Sequence, residues 1–275
     1  MKRVLAVVLS GLLLAAAAVP AQQVVRRPIT SASELACTAE SSCKEWVAAD
    51  NADWSGFADN TTVGDSTHRW SKPFIALNYW EDDGNSSHRP KYRTSGPNGR
   101  PYLEFDTDDT LNHLNGASSF LGGGTGFTQF IVVRPQSNGG GACTEGGAGV
   151  YSTGGYVATT LFSTGGLNKF CFETYNGGYR TVNSTTTYSL NTWYIVETWW
   201  DGSSQNHIRV NGDTEQTVAA ATGPGTLANG NTTKFGSIAV DIAERMSFNT
   251  DIGATKRANY RQSLGTKYGI TVTVP

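Results

Sequence analysis

The sequence predicts an all-β fold in which two antiparallel sheets pack as a jelly-roll sandwich, with one short helix near the C-terminus. Three observations predict it. Segments of alternating, β-branched and aromatic residues recur along the chain. Glycine pairs and triplets separate them. A helical period stands out once, close to residue 260.

Taken in order, residues 22–36 are polar without a clear period and read as a flexible leader to the domain. Residues 39–49 read as a short helix ending before Asp50. Strands are expected at Phe127–Val133, Lys169–Tyr175, Trp193–Trp200 and Gln205–Val210, where the side-chain alternation has period two. Gly122-Gly123-Gly124, Gly139-Gly140-Gly141, Gly154-Gly155 and Gly177-Gly178 punctuate them. Asp201-Gly202 and Asn211-Gly212 are tight-turn signals that need positive φ. Asp241 to Glu244 is expected to position a strand over Arg245–Phe248. Residues 253–266 carry Lys256, Arg257, Arg261 and Gln262 on a polar side. Tyr260, Leu264 and Tyr268, spaced i, i+4, i+8, face the sandwich. Gly269 stops the helix, and Ile270–Val274 reads as a last strand or extended tail.

The N-terminus predicts export from the cell. Lys2 and Arg3 precede the apolar, uncharged run Val4–Val19, and Val19-Pro20-Ala21 supplies small residues for cleavage. The run is about sixteen residues, short of the roughly twenty that a spanning helix needs. The organisation expected is a signal peptide over 1–21, an N-terminal extension over 22–45 and a sandwich over 46–275. No stable membrane span is expected. Loss of Lys2 and Arg3 makes the remainder more acidic than the formal −2 of the whole chain, and no Lys/Arg cluster occurs. Nucleic acid is therefore excluded as a main partner, since phosphate binding needs concentrated positive charge. About 250 residues in one β-domain is an ordinary size. The four cysteines, an even number behind an export signal, predict two disulfides. Of three pairings, Cys37–Cys43 and Cys143–Cys171 are preferred.

Four segments then resemble laminin-G-like/concanavalin A-like modules, of the kind found in bacterial exported proteins and in phage. They are Trp80-Glu81-Asp82-Asp83-Gly84-Asn85 with Arg89-Pro90-Lys91-Tyr92; Arg100-Pro101-Tyr102-Leu103-Glu104-Phe105-Asp106; Trp199-Trp200-Asp201-Gly202 with Ile208-Arg209-Val210-Asn211-Gly212; and Asp241-Ile242-Ala243-Glu244 with Leu264-Gly265-Thr266-Lys267-Tyr268-Gly269-Ile270. The resemblance spans roughly residues 46–270 and implies the concanavalin A-like sandwich. It departs from the family pattern at Asp83-Gly84, at Ser86-Ser87-His88 and at Thr107. The family implies ligand classes from sugars to proteins and lipids, virion and adhesin roles, and some glycoside hydrolases and lyases. Fold alone does not choose among them.

Several residue sets bear on that choice. Glu173 and Glu197 each share a strand face with aromatics, and two carboxylates beside rings are what a glycosidase needs. The glucanase and lyase patterns of this fold are absent, so the enzyme reading is left open and leans towards no activity. Asp106, Asp108 and Asp109 form an acidic cluster, as do Glu81, Asp82 and Asp83. Oxygen-rich loops of this kind suit calcium, the one cofactor considered. His68, His88, His113 and His207 are scattered, which argues against zinc and serine-hydrolase chemistry. Tyr175-Asn176-Gly177-Gly178-Tyr179-Arg180 offers two rings, an amide and a guanidinium within six residues. With Trp80 and Trp200, Tyr175, Asn176, Tyr179 and Arg180 are the expected ligand-binding residues, because sugar rings stack on Trp and Tyr. The leading expectation is a secreted carbohydrate-binding or adhesion module whose partner is a polysaccharide or cell-surface glycan. The alternatives are a self-assembling structural protein of a virion or appendage surface, and a polysaccharide-cleaving glycosidase using Glu173 and Glu197.

Overall fold

The computed structural model describes residues 41–50, 57–64, 70–71, 79–81, 84–113, 126–138, 148–150, 156–160, 168–175, 178–220, 233–236 and 239–273. The expected signal peptide lies outside them. Among the described residues no helix is long and apolar enough to cross a membrane. The strands, in chain order, are β1 (Cys43–Ala48), β2 (Thr61–Thr62), β3 (Trp70–Ser71), β4 (Tyr79–Glu81), β5 (Lys91–Arg93), β6 (Tyr102–Phe105), β7 (Thr110–His113), β8 (Phe127–Pro135), β9 (Ala148–Val150), β10 (Tyr156–Thr160), β11 (Lys169–Tyr175), β12 (Tyr179–Thr187), β13 (Tyr194–Trp200), β14 (Gln205–Val210), β15 (Gln216–Ala219), β16 (Thr233–Gly236) and β17 (Val240–Phe248). The first sheet runs β15-β14-β13-β8-β17-β6-β5-β2, with β1 also paired to β17. The second runs β12-β11-β10-β9-β16-β7-β4-β3.

All strand pairs are antiparallel. Period-two alternation sends Phe127, Ile131, Val133, Val196, Ile208, Val210, Val240 and Ile242 of the first sheet inward. There they meet Leu111, Phe170, Phe172 and Val182 of the second. Phe127 and Phe172 stack across the gap with ring centroids 6.1 Å apart.

The outer face of the first sheet is buried as well. Phe130, Val132, Ile195, Met246 and Phe248 pack under helix α1 (Ala254–Tyr268) through Tyr260, Leu264 and Tyr268. Every residue of β13, β8 except Arg134, and all of β17 are buried, because each strand has protein on both sides. At the end of α1, Gly269 takes the left-handed conformation (φ 66°) and the Ile270 amide donates to Gly265 O at 2.9 Å, a Schellman closure.

Three expectations are corrected. Residues 43–48 form a strand rather than part of a helix, because Trp46, Val47 and Ala48 pair with Met246, Arg245 and Glu244 of β17. Tertiary pairing overrides a local preference there. Asp241–Glu244 does not precede a strand but belongs to one, β17, with a bulge between Ile242 and Glu244. Arg257 and Arg261 are not on the solvent side of the helix; both are buried, because a carboxylate lies beneath them. The tail 270–273 joins neither sheet, though the Thr273 amide donates to Asn211 O at 2.8 Å. Cys43 and Cys171 are buried and neither is a free cysteine. Their expected partners Cys37 and Cys143 lie outside the described residues.

Candidate functional site

The β11–β12 hairpin brings together part of the expected ligand-binding set. Its register pairs Phe172 with Val182, Glu173 with Thr181, Thr174 with Arg180 and Tyr175 with Tyr179. Phe172 and Val182 point into the core, so positions 173, 175, 179 and 181 belong to the face turned away from the first sheet. Tyr179 is 57% exposed on that face, with exposed Asn183 and half-buried Thr181, while Arg180, exposed at the hairpin's end, falls on the opposite parity with Thr174. Arg180 Nη1 donates to the Tyr179 carbonyl at 2.9 Å. The hairpin is anchored from the other sheet: Asn206 Nδ2 on β14 donates to Arg180 O and to Thr174 Oγ1, both at 2.8 Å. Tyr175 keeps its place opposite Tyr179, but its side chain and Asn176 lie outside the described residues, as does the Trp80 side chain on β4.

Trp200 does not join this site. It falls on the inward parity of β13, is buried in the core, and donates Nε1 to Ala220 O at 3.1 Å.

The two glutamates part company. Glu173, 4% exposed, lies on the outer face of the second sheet and accepts a hydrogen bond from Thr181 Oγ1. Glu197 shares the outward parity of Ile195 on β13 and sits under α1, on the opposite side of the molecule. Arg261 Nη1 donates to its Oε2, and Arg257 Nε lies 3.2 Å from its Oε1. Burial pushes this carboxyl up, and Arg261 and Arg257 pull against that push. The geometry of paired glycosidase carboxylates, which needs both groups on one substrate, is not formed by Glu173 and Glu197.

The surroundings of Glu197 are packed rather than open. Arg257 sits 4.0 Å from the Trp199 ring centroid, and His207 stacks on the same ring at 4.6 Å. His207 Nδ1 and Arg209 both engage Glu215.

The acidic cluster is a turn. Asp109 Oδ2 accepts from the Asp106 amide at 2.8 Å, and burial raises the Asp109 carboxyl. Asp106 and Asp108 are exposed. Among the described residues no three His, Cys, Asp or Glu side chains gather as a metal-binding group.

A second polar cluster, which sequence reasoning missed, lies at the rim of the helix-covered face. Asp241 is fully buried, and its Oδ2 accepts from Arg134 Nε at 2.5 Å and from Gln136 Nε2. Arg134 also donates to Tyr102 Oη at 3.0 Å and lies about equally far from the Tyr102 and Trp193 rings, 4.9 and 5.1 Å. Asp241 stands directly across from Glu104 of β6. Burial pushes its carboxyl up to about 6 against the pull of Arg134 and Gln136, and Glu104 adds to the rise. The sequence offers only Asp241 at the head of the closing motif, and nothing in the chain ties it to Arg134.

No protein-family model matches the chain, and no curated protein matches its sequence. Solved structures do. Domain 4 of an extracellular GH43 arabinanase from Geobacillus stearothermophilus, solved in complex with arabinotriose, matches with a TM-score of 0.53 at 11% identity, covering 80% of this chain and 98% of that one. The binding domain of Paraclostridial Mosquitocidal Protein 1 matches with a TM-score of 0.48 at 9% identity, over 75% of this chain and 51% of that one. The binding domain of botulinum neurotoxin serotype G gives 0.46 at 12%, over 70% and 52%. This chain thus spans about half the length of the two toxin chains. The arabinanase likeness shows the β-sandwich fold, consistent with a jelly roll, without singling out the laminin-G branch.

Proposed function

We propose that this chain is an exported glycan-binding domain whose binding surface is the outer face of the β11–β12 hairpin. The observation that carries the reading is Tyr179, a ring 57% exposed on a sheet face whose neighbours Thr181 and Asn183 are polar. An aromatic ring held in water costs hydrophobic free energy unless a partner covers it. A sugar does so with its apolar ring face, while its hydroxyls pair with hydroxyl and amide groups. Support comes from the likeness over nearly the whole of domain 4 of the arabinanase, a domain solved with arabinotriose. The export leader and the Cys37–Cys43 and Cys143–Cys171 disulfides belong to the same reading, since extracellular domains use such bridges.

The test is affinity electrophoresis of the full chain in gels carrying soluble arabinan, xylan, mixed-linkage glucan or mannan, with and without calcium. At least one polysaccharide is expected to retard the wild type, and Tyr179→Ala to migrate freely. Retardation that is unchanged in Tyr179→Ala places the site elsewhere. The absence of retardation in every gel, in both conditions, defeats the reading.

A further inference from the structure

Three reactive side chains from distant parts of the chain meet in one dry place beneath the end of α1. Asp50 lies just past β1, Glu244 stands on β17 directly across from Ala48, and Lys267 belongs to the last turn of the helix. Lys267 Nζ donates to Asp50 Oδ1 at 3.0 Å and to Glu244 Oε2 at 2.7 Å. The side chains of Lys267 and Glu244 are each 1% exposed, and that of Asp50 is 11% exposed. A lysine this deep is rare, and an ion pair there must repay the desolvation of every charge in it. We propose that Lys267 and Asp50 join covalently, Nζ to Cγ, in an intramolecular isopeptide bond, with Glu244 as the proton carrier. The inference stands apart from the glycan-binding reading.

The step is a condensation that needs no oxidant and no co-reactant. Burial favours a neutral amine and acid over two charges, so the Lys267 ammonium passes a proton to Glu244 and the free amine attacks Asp50 Cγ. The C–N bond forms, and the bond from Cγ to Oδ1 breaks. One proton of the ammonium stays on the amide nitrogen. The other two reach Oδ1 by way of Glu244, and that oxygen departs as water. Glu244 ends as the carboxylate it began as, and one positive and one negative charge have become a neutral amide.

The surroundings fit each role. Arg100 Nη1 donates at 2.7 Å to Asp50 Oδ2, the oxygen that stays and that gathers negative charge as the amine adds. Arg100 is itself positioned by Nε donating to Lys267 O at 3.1 Å. Trp46 Nε1 on Oε1 and Tyr268 Oη on Oε2 fix the Glu244 carboxylate beside Nζ. Groups held in this way react as if at very high concentration, which is what an amine and an unactivated carboxyl require. The bond would tie together positions 217 apart in the chain, so the end of β1 and the end of α1 could not separate on unfolding. Reductants, which open disulfides, would leave it intact.

The test is tryptic mass mapping of the full-length wild type, reduced and denatured after folding. Expected is a branched peptide joining 45–69 to 262–275, uncut after Lys267 and lighter than the sum of its two parts by about 18 Da, the water released. Fragmentation is expected to place the branch at Asp50. Linear peptides alone, with cleavage after Lys267 even after days of incubation, overturn the proposal and leave a buried ion pair. A branch at Glu244 instead of Asp50 overturns the assignment of the electrophile. Because this reading is made on the wild type, it does not depend on a variant that folds. The role of Glu244 is tested by Glu244→Gln, expected to cut the branched fraction at least about tenfold at equal times; a wild-type yield removes Glu244 from the reaction. Should that variant not fold, Asp50→Asn serves: with ammonia as the leaving group, it is expected to give the same branched peptide, and folded Asp50→Asn that stays linear overturns the amine's attack at this position.

Discussion

Asp241 shows how one buried carboxyl sets a pH slope for the fold. Its solvent-free position raises it from an ordinary 3.8 to about 6, even with Arg134 and Gln136 donating to Oδ2. A folded-state value above the unfolded one means that the folded chain holds the proton more tightly. The stability this confers is fully present below about pH 4 and is lost as pH rises through 6. The whole effect is at most about 3 kcal/mol. Urea unfolding of the wild type at pH 5 and pH 7.5 is expected to show this fall, superimposed on slopes from other groups. Asp241→Asn, which has no proton to bind, is expected to flatten the difference by about 1 kcal/mol, the part of the effect that falls between these two pH values; an unaltered slope in the variant removes Asp241 as its source. Asp201 works in the opposite direction. Burial opposes it, but the Ser203, Ser204 and Gln205 amides donate to its carboxylate and hold it well below the usual carboxylate range. Its stabilisation is present above about pH 4 and is lost as pH falls further.

At the scale of elements, α1 is held to the sheet by charge as much as by packing. Tyr260, Leu264 and Tyr268 were legible from their spacing, since an i, i+4, i+8 apolar stripe has one place to go. The roles of Arg257 and Arg261 were not, because helical period alone marks them polar and cannot reveal that Glu197 lies beneath. The same limit hid the meaning of the closing motif. Asp241–Glu244 and Lys267–Tyr268 were each visible, but only the fold shows Lys267 Nζ and Tyr268 Oη both donating to Glu244 Oε2 at 2.7 Å, with Trp46 Nε1 on Oε1. Arg100 Nε and Asn98 Nδ2 then close the helix's last turn by donating to Lys267 O. Glu197→Ala leaves Arg261, 1% exposed in its side chain, facing no carboxylate. Removing one partner of such a pair costs about 3–5 kcal/mol. The guanidinium denaturation midpoint is expected to fall accordingly, with glycan retardation of the folded fraction unchanged. A variant of wild-type stability that has lost binding would instead return Glu197 to a role at the ligand.

For the molecule as a whole, strand alternation revealed the sandwich and the strand Lys169–Tyr175, but neither its partner β12 nor which faces stay open. That depends on long-range pairing: β13 carries Trp200 inward and Glu197 under the helix, while Tyr179 remains outside. This layout puts the proposed ligand face on the second sheet and the Asp241 cluster on the far side of the first, so the two act independently if the fold is rigid between them. A ligand that binds only the folded state stabilises by RT ln(1 + [L]/Kd), about 2.7 kcal/mol at a hundredfold excess over Kd. For a domain of this size that is roughly 5–10 °C in Tm. Distant sites add to within about 0.5 kcal/mol. The retarding oligosaccharide is therefore expected to raise the Tm of Asp241→Asn and of wild type by the same increment at equal fractional excess. A smaller increment in the variant, read by differential scanning fluorimetry at pH 7.5, would show that the rim of the first sheet communicates with the second.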